Sequence, residues 1–216
     1  MTSVKTKAIS ASNAALDCFY GVSGAGVKTF SCANSYASIF SKGDTNYLTF
    51  RSSDDWKDWA ENLLALPLRR HSFEVPEISE PYRYEAGILV HYGFYQGYER
   101  LRGQVNKAIV EMDSPITNWV IVGHSLGGAM AGMSVMDFPL DKRPDLITFG
   151  APRWGNAHAN WLVNQRSDLN LRFVCGADVV PRIPQFCWRH SSPAVSLKGT
   201  NLFWKDHDIE TYRAGL

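Results

Sequence analysis

A serine enclosed by glycines is the residue of this 216-residue sequence best suited to chemistry. Ser125 lies in the segment Gly-His-Ser-Leu-Gly-Gly (residues 123–128), directly after the apolar run Trp119–Val122. A serine presented at a sharp turn between a strand and a helix needs neighbours without a Cβ, and its hydroxyl can attack a carbonyl carbon. The pattern predicts that Ser125 is the nucleophile of an acyl-transfer reaction. An ordinary tight turn is the alternative interpretation.

A serine nucleophile needs a base, and the base needs a carboxylate that orients it. In proteins with this elbow the chain order is serine, acid, histidine. Asp178 ends the strand-like segment LRFVCGADVVP and is the predicted acid. Two histidines follow it. We favour His207, because it follows the strand-like stretches AVSLKG and NLFW, as the loop after a final strand should. His190 follows Asp178 too closely and is predicted to be structural. His124 is predicted to pack against the elbow.

The elements that position these residues alternate between strands and helices. Strands are predicted at 47–50 and in GILVHYGF, NWVIVG, PDLITFGAP and LRFVCGADVVP, and helices in DDWKDWAENLLALPL, FYQGYERLRGQVNKAIVEM and GGAMAGMSVMDF. Continuous apolar strands alternating with helices are typical of an α/β fold, in which helices cover both faces of a mostly parallel central sheet. Sites in such sheets lie at the carboxyl ends of the strands, where Ser125 is expected.

Composition and charge restrict the remaining possibilities. The length suits one domain, residues 1–216, and 45% hydrophobic with 20% charged residues is typical of a globular chain. A net charge of +1 gives no basis for nucleic-acid binding. No apolar run predicts a transmembrane segment, and no signal peptide is visible, so a cytoplasmic protein or the mature form of a secreted one is expected. The sequence does not indicate an oligomeric state.

The cysteines and histidines predict neither a metal site nor a cofactor. No pair has C-x-x-C spacing, and no cluster has zinc-ligand spacing. Cys175 lies in an apolar strand and is predicted to be a buried thiol. The sequence leaves open whether the four cysteines form disulfides: Cys18, Cys32, Cys175 and Cys187.

Several blocks of the chain, in order, resemble the class 3 lipase family, the fungal triacylglycerol-lipase group with the α/β-hydrolase fold. They are YLTFRSSDDWKDWAENLL, VHYGFYQGY, VIVGHSLGGAMA, LITFGAPRWGN, GADVVPRIP and DHDIETY, between about residues 47 and 212. The resemblance implies the α/β-hydrolase fold and ester hydrolysis without a metal or cofactor.

Carried over by position, the resemblance implies the same three catalytic residues, Ser125, Asp178 and His207. It also implies an oxyanion hole formed by the backbone N–H groups of Ser53 and Leu126. One departure from the family pattern lies beside this site: the family has a glycine where this chain has Ser52, directly before the Ser53 donor.

The segment after Ser53 predicts an amphipathic helix, about residues 54–66. Trp56, Trp59 and Leu63 lie on its apolar face at helical spacing. In related fungal lipases the helix at this position is a lid that opens at a lipid surface, and these side chains would then line the acyl site. The alternative is a surface helix packed on the core.

The sequence therefore predicts a serine carboxylic-ester hydrolase, most consistent with a triacylglycerol lipase that acts on ester or lipid substrates at a lipid–water interface. A soluble esterase of the feruloyl type and a phospholipase are alternatives within the same chemistry. A non-catalytic lipid-binding module is the alternative from another class.

Overall fold

A central sheet of seven strands organises the protein. The structure is a computed structural model that describes residues 3–21, 26–52, 70–73, 87–112 and 115–216. Within these residues the sheet strands are β1 (Lys28–Cys32), β2 (Ser35–Lys42), β3 (Thr45–Ser52), β6 (Asn118–His124), β7 (Asp145–Phe149), β8 (Leu169–Cys175) and β9 (Ala194–Leu197), in that spatial order. The first three strands pair antiparallel, and β3 and all later strands of the sheet pair parallel.

The helices lie on both sides of this sheet. They are α1 (Val4–Tyr20), α2 (Tyr92–Val110), α3 (Leu126–Asp137), α4 (Ala157–Arg166), α5 (Phe203–Asp206) and α6 (Ile209–Gly215), with a short 3-10 helix at Val180–Arg182. Strand β6 shows how the faces divide: Ile121 belongs to the core beneath α2, α3 and α4, whereas Val120 and Val122 belong to the core beneath α1 and α6. The predicted α/β architecture, a mostly parallel sheet with helices on both faces, is confirmed.

Helix α1 can approach the sheet closely because its buried face is small. That face consists mainly of alanines, Ala8, Ala11, Ala14 and Ala15. Ser3 begins the helix by accepting a hydrogen bond from the backbone N–H of Thr6, and α1 packs against α6 as well as the sheet. Neither α1 nor strands β1 and β2 were predicted from the sequence.

Two strand predictions need correction, one because the strand is short and belongs to another sheet, and one because the segment is not a strand. The segment GILVHYGF contributes only β5 (Leu89–His91), which pairs antiparallel with β4 (Arg70–Ser72) in a separate two-stranded sheet. The segment NLFW contains the start of helix α5 rather than a strand, because the Asp206 N–H donates to the carbonyl of Leu202 and closes a helical turn. A short apolar run fits a buried strand and a buried helical turn equally well.

Candidate active site

Ser125, His207 and Asp178 meet at the carboxyl edge of the parallel strands. The Oγ atom of Ser125 lies 2.9 Å from Nε2 of His207. Nδ1 of His207 lies 2.9 Å from Oδ2 and 3.0 Å from Oδ1 of Asp178. All three residues are at most 4% exposed. If Nδ1–H donates to the carboxylate, Nε2 is left free to accept the serine proton, which is the arrangement that nucleophilic catalysis needs.

The strand order explains how residues so distant in sequence come together. Ser125 directly follows β6, and Asp178 follows β8, two strands away across the sheet. His207 follows the edge strand β9 and a loop that returns along the sheet edge through α5. Carboxyl ends of parallel strands share one edge, so three loops deliver the three side chains to the same place.

The backbone of Ser125 is strained. Its φ of 56° and ψ of −131° are rare for a residue with a side chain, and such a conformation costs about 1–3 kcal/mol. Its N–H donates to the carbonyl of Phe149 at 2.9 Å, which helps to hold the conformation. A Cβ on Gly127 would lie 2.2 Å from the carbonyl oxygen of Phe50, and one on Gly123 would lie 2.1 Å from the carbonyl oxygen of Gly127. The two glycines therefore allow the chain to turn this sharply.

Asp178 is held by donors other than the imidazole. The backbone N–H of Val180 donates to Oδ1 at 2.9 Å, and the hydroxyl of Tyr212 donates to Oδ2 at 2.5 Å. Burial and the adjacent charge of Asp178 raise the pKa of Tyr212 well above its usual value, so this hydroxyl keeps its proton. A carboxylate with fixed donors around it keeps a fixed orientation toward the imidazole.

The structure separates the three histidines that the sequence singled out. His207 contacts Ser125, whereas Nε2 of His190 lies 2.6 Å from the carbonyl oxygen of Pro181. Nε2 of His124 lies 2.7 Å from the backbone carbonyl oxygen of His207, and the two rings are 4.9 Å apart. Burial, and then the proximity of His207, lower the pKa of His124 to about 3. His124 is therefore neutral at neutral pH and donates Nε2–H to the backbone of His207.

The predicted oxyanion donors are described only in part. Leu126 is the first residue of α3, where backbone N–H groups have no acceptor within the helix and the helix dipole favours negative charge. Ser53 lies outside the described residues. Strand β3 nevertheless leads to the elbow, because Phe50 pairs with Gly123 in the parallel register. The predicted lid helix, about 54–66, with Trp56, Trp59 and Leu63, also lies outside the described residues.

The part of the chain that the structure describes has no helix long and apolar enough to cross a membrane. Among the same residues, no group of three His, Cys, Asp or Glu side chains is arranged to hold a metal ion. All four cysteines are free, and Cys175 is buried as predicted. Burial raises the pKa of its thiol to about 11.

Comparison with known proteins identifies the family. The model of the family "Lipase (class 3)" matches residues 47–187, which include the elbow and Asp178. The chain belongs to the class 3 lipase family.

Several curated relatives of this chain are fungal. It is 37% identical over 129 residues to the secreted mono- and diacylglycerol lipase 1 of Fusarium solani, a match that covers 57% of this chain and 38% of the relative. It is 29% identical over 160 residues to a lipase of Rhizomucor miehei, covering 68% of this chain and 40% of the relative. A plant relative, the chloroplastic phospholipase A(1) DAD1 of Arabidopsis thaliana, is 30% identical over 150 residues, covering 63% and 33%. The chain thus spans two fifths or less of the length of these relatives.

Solved structures share the fold of this chain. A crystal structure of a mutant of MDLA from Penicillium cyclopium superposes with a TM-score of 0.68 at 20% identity, over 94% of this chain and 83% of that one. The Rhizomucor miehei lipase propeptide complex gives a TM-score of 0.66 at 19% identity, over 91% and 70%. The α/β-hydrolase fold implied by the resemblance is confirmed.

Two residues that contact the candidate triad or its loops were not predicted from the sequence. Tyr212 and Asp206 both lie in or beside the block DHDIETY, but nothing in their spacing distinguishes them from surface residues. Asp206 is 0% exposed, although Trp204 and Lys205 directly before it are exposed. The structure shows that the Asp206 carboxylate points inward, toward the loops that follow β8 and β9.

Proposed function

We propose that this protein is a serine carboxylic-ester hydrolase that acts on lipid esters, most consistent with a triacylglycerol lipase. The observation that carries the proposal is the continuous hydrogen-bonded line from Ser125 Oγ through His207 to the buried carboxylate of Asp178. Membership of the class 3 lipase family and the names of the fungal relatives support the choice of lipid substrate.

The geometry of the three residues supports the following sequence of proton transfers and bond changes. Nε2 of His207 takes the hydroxyl proton as Ser125 Oγ bonds to the ester carbonyl carbon, and Asp178 stabilises the imidazolium that forms. The tetrahedral oxyanion is bound by the N–H of Leu126, with Ser53 as the second donor. His207 then gives its proton to the leaving alcohol as the carbon–oxygen bond breaks. Water repeats the sequence on the acyl-enzyme and releases the fatty acid and the free serine.

The oxyanion hole stabilises the negative charge of the transition state through N–H donors that are already in position. Removing one such donor typically costs about 2.7–4 kcal/mol of transition-state stabilisation. Leu126 N–H lies at the start of α3, a helix whose residues 127–136 are all buried, so the donor is anchored in the core.

Hydrolysis of p-nitrophenyl esters from C2 to C16 tests the proposal. The Ser125→Ala variant should lose about 10⁴-fold or more in kcat. Ser134→Ala is the matched control, because Ser134 is a buried serine in helix α3, which begins directly after Ser125, and is not part of the triad. Retention of wild-type activity by Ser125→Ala, or a wild type inert toward every ester, would refute the proposal.

The acyl-chain profile and the substrate then distinguish the alternatives. Preference for long acyl chains and emulsified triacylglycerol supports a lipase, whereas activity on short soluble esters alone indicates an esterase. The relation to a plant phospholipase A(1) gives a reason to include phosphatidylcholine among the substrates. A non-catalytic lipid-binding module would not react with a fluorophosphonate probe, because only an activated serine is labelled.

The lid interpretation of residues 54–66 has its own test. A lid that opens at a lipid surface predicts an abrupt rise in activity when a short-chain triacylglycerol passes its solubility limit. A smooth, saturating curve through that limit would contradict it and favour a helix that stays packed on the core.

A further inference from the structure

The carboxylate of Asp206 is buried beside the candidate triad and takes no part in the reaction described above. It is 0% exposed and immediately precedes His207. A buried carboxylate is costly unless hydrogen-bond donors satisfy it, so the identity of its donors indicates what it does.

Four donors surround this carboxylate, two on each oxygen. Oδ2 accepts from the backbone N–H of Ala177 at 2.8 Å and of Asn201 at 3.1 Å. Oδ1 accepts from the backbone N–H of Thr200 at 2.6 Å and from its hydroxyl at 2.8 Å. Burial by itself would raise the pKa of Asp206, but these hydrogen bonds outweigh it and lower the pKa, so the group is ionised at neutral pH.

The donors come from the two loops that carry Asp178 and His207. Ala177 is the residue before Asp178, in the loop after β8. Thr200 and Asn201 belong to the loop after β9, and Asp206 itself is the residue before His207. One carboxylate thus links the peptide next to the triad acid with the peptide next to the triad base.

The backbone around the Asp206 carboxylate has no space for a further side chain. A Cβ on Gly176 would lie 2.3 Å from Oδ2 of Asp206, and one on Gly199 would lie 2.6 Å from the same atom. The carboxylate therefore fits between two glycines, one in each loop. Displacing it would move at least one of the loops.

We propose that Asp206 is a positioning residue, whose carboxylate fixes the loop of Asp178 against the loop of His207 and so sets the contact between the acid and the base. The inference rests on the proposed function for its role in catalysis, whereas the linkage between the loops is independent of it.

Two variants disturb this link in different ways. Asp206→Asn keeps the size of the side chain but places an amide N–H against backbone donors. Gly199→Ala keeps the charge of Asp206 and pushes a methyl group into its carboxylate; the φ of Gly199 is not in the left-handed region, so alanine adds no backbone strain there. Asp208→Asn is the matched control, because Asp208 is exposed, lies on the other side of His207, and caps α6, a role that asparagine also fills.

The first readout is turnover per active site. A fluorophosphonate probe counts the reactive serines, so misfolded protein is excluded from the comparison. We expect Asp206→Asn and Gly199→Ala to lower kcat by about 10- to 100-fold with KM unchanged, since small misplacements of catalytic groups have effects of this size. Asp208→Asn should match the wild type.

The second readout does not require activity. In ¹H NMR the proton between Nδ1 of His207 and Asp178 should give a low-field signal, which we expect to shift or broaden in both variants. Wild-type kcat per site with an unshifted signal in Asp206→Asn would overturn the proposal, even if the variant were less stable. An effect in Asp206→Asn without one in Gly199→Ala would also overturn it, because charge alone would then be responsible. If the wild type were inert toward esters but the NMR signal still changed in both variants as expected, the proposed function would be refuted and the positioning role of Asp206 would stand.

Discussion

The hydroxyl of Tyr212 and the Nδ1 atom of His207 meet at the same oxygen, Oδ2 of Asp178, at 2.5 and 2.9 Å. Tyr212 and Asp178 are both 0% exposed. The acid of the triad is thus oriented from two sides, by the base that it serves and by a helix that packs beneath the sheet.

Tyr212→Phe should weaken both stability and catalysis. Loss of a hydrogen bond to a buried carboxylate typically costs about 1.5–3 kcal/mol. We expect the free energy of unfolding to fall by that amount, and kcat to fall about 10-fold because Asp178 is less firmly oriented. Urea unfolding and ester hydrolysis measure the two effects. Tyr98→Phe is the matched control: Tyr98 is also 0% exposed and donates to a carboxylate, Asp137, at 2.7 Å, outside the triad. It should lose stability but keep kcat per active site, and an equal loss of kcat in both variants would contradict the prediction.

Strain at Ser125 can be measured by comparing two substitutions at that position. Both Ser125→Ala and Ser125→Gly remove the hydroxyl, but only glycine adopts a φ of 56° without steric cost. We expect the glycine variant to be more stable than the alanine variant by about 1–2 kcal/mol. The same pair at Ser134, inside helix α3, should show the opposite sign by about 1 kcal/mol, because glycine is unfavourable in a helix. An alanine variant as stable as the glycine variant at position 125 would show that the elbow is unstrained.

The close approach of the elbow to β3 gives a third prediction. Gly127→Ala places a Cβ 2.2 Å from the carbonyl oxygen of Phe50. Neither the Cβ nor the backbone oxygen can rotate away, so the clash can be relieved only if the backbone moves. We expect a loss of about 3 kcal/mol or more in the free energy of unfolding. Gly103→Ala in helix α2 is the control, since a Cβ there meets no atom within 4 Å. It should stabilise the protein by about 0.5–1 kcal/mol, and similar effects of the two substitutions would argue against the described elbow packing.

The lowered pKa of His124 makes stability depend on pH. Burial and the neighbouring His207 bring this pKa to about 3, against 6.5 in an unfolded chain, so only the unfolded state takes up the proton between those values. The contribution of His124 is fully present above pH 6.5 and is lost as the pH falls toward 3. The half-buried His190, whose pKa is lowered to about 4 mainly by desolvation, acts in the same direction. Urea unfolding from pH 7.5 to 4.5 should show falling stability.

His124→Gln tests this assignment, because glutamine can still donate to the carbonyl of His207 but does not titrate. Any structural cost appears at pH 7.5, where both proteins are neutral at this position. On acidification the variant should lose stability less steeply, by up to about 1.4 kcal/mol per pH unit. Parallel curves for the two proteins would exclude His124 as a source of the pH dependence.

The sequence was sufficient to predict the central strands and the three candidate triad residues, because each depends on local chemistry. The elbow around Ser125 needs glycines at fixed spacing, and the segment before it is apolar over a whole strand. Asp178 and His207 were found from chain order combined with the ends of the predicted elements. These signals lie within a few residues of the side chain concerned.

What the sequence did not predict depends on contacts between distant segments. Antiparallel β1 and β2 extend the sheet, since β2 pairs with β3 and β1 pairs with β2. The buried face of α1 is mainly alanine, and such a row of alanines does not by itself predict a helix packed on a sheet. Asp206 and Tyr212 resemble surface residues in a short polar block. Asp206 and Tyr212 are buried because they contact Ala177 and Asp178, in the loop after β8. No local pattern in the sequence predicts these contacts.

The order of the triad along the chain also has a consequence for biosynthesis. Ser125 precedes His207 by 82 residues, which is an interval of about 4–16 s at typical rates of translation. Throughout that interval the nascent chain carries the serine without its base, and a chain truncated between the two residues has no means of activating it. With the proposed triad, reactivity arises only after β9 and the loop behind it have been synthesised.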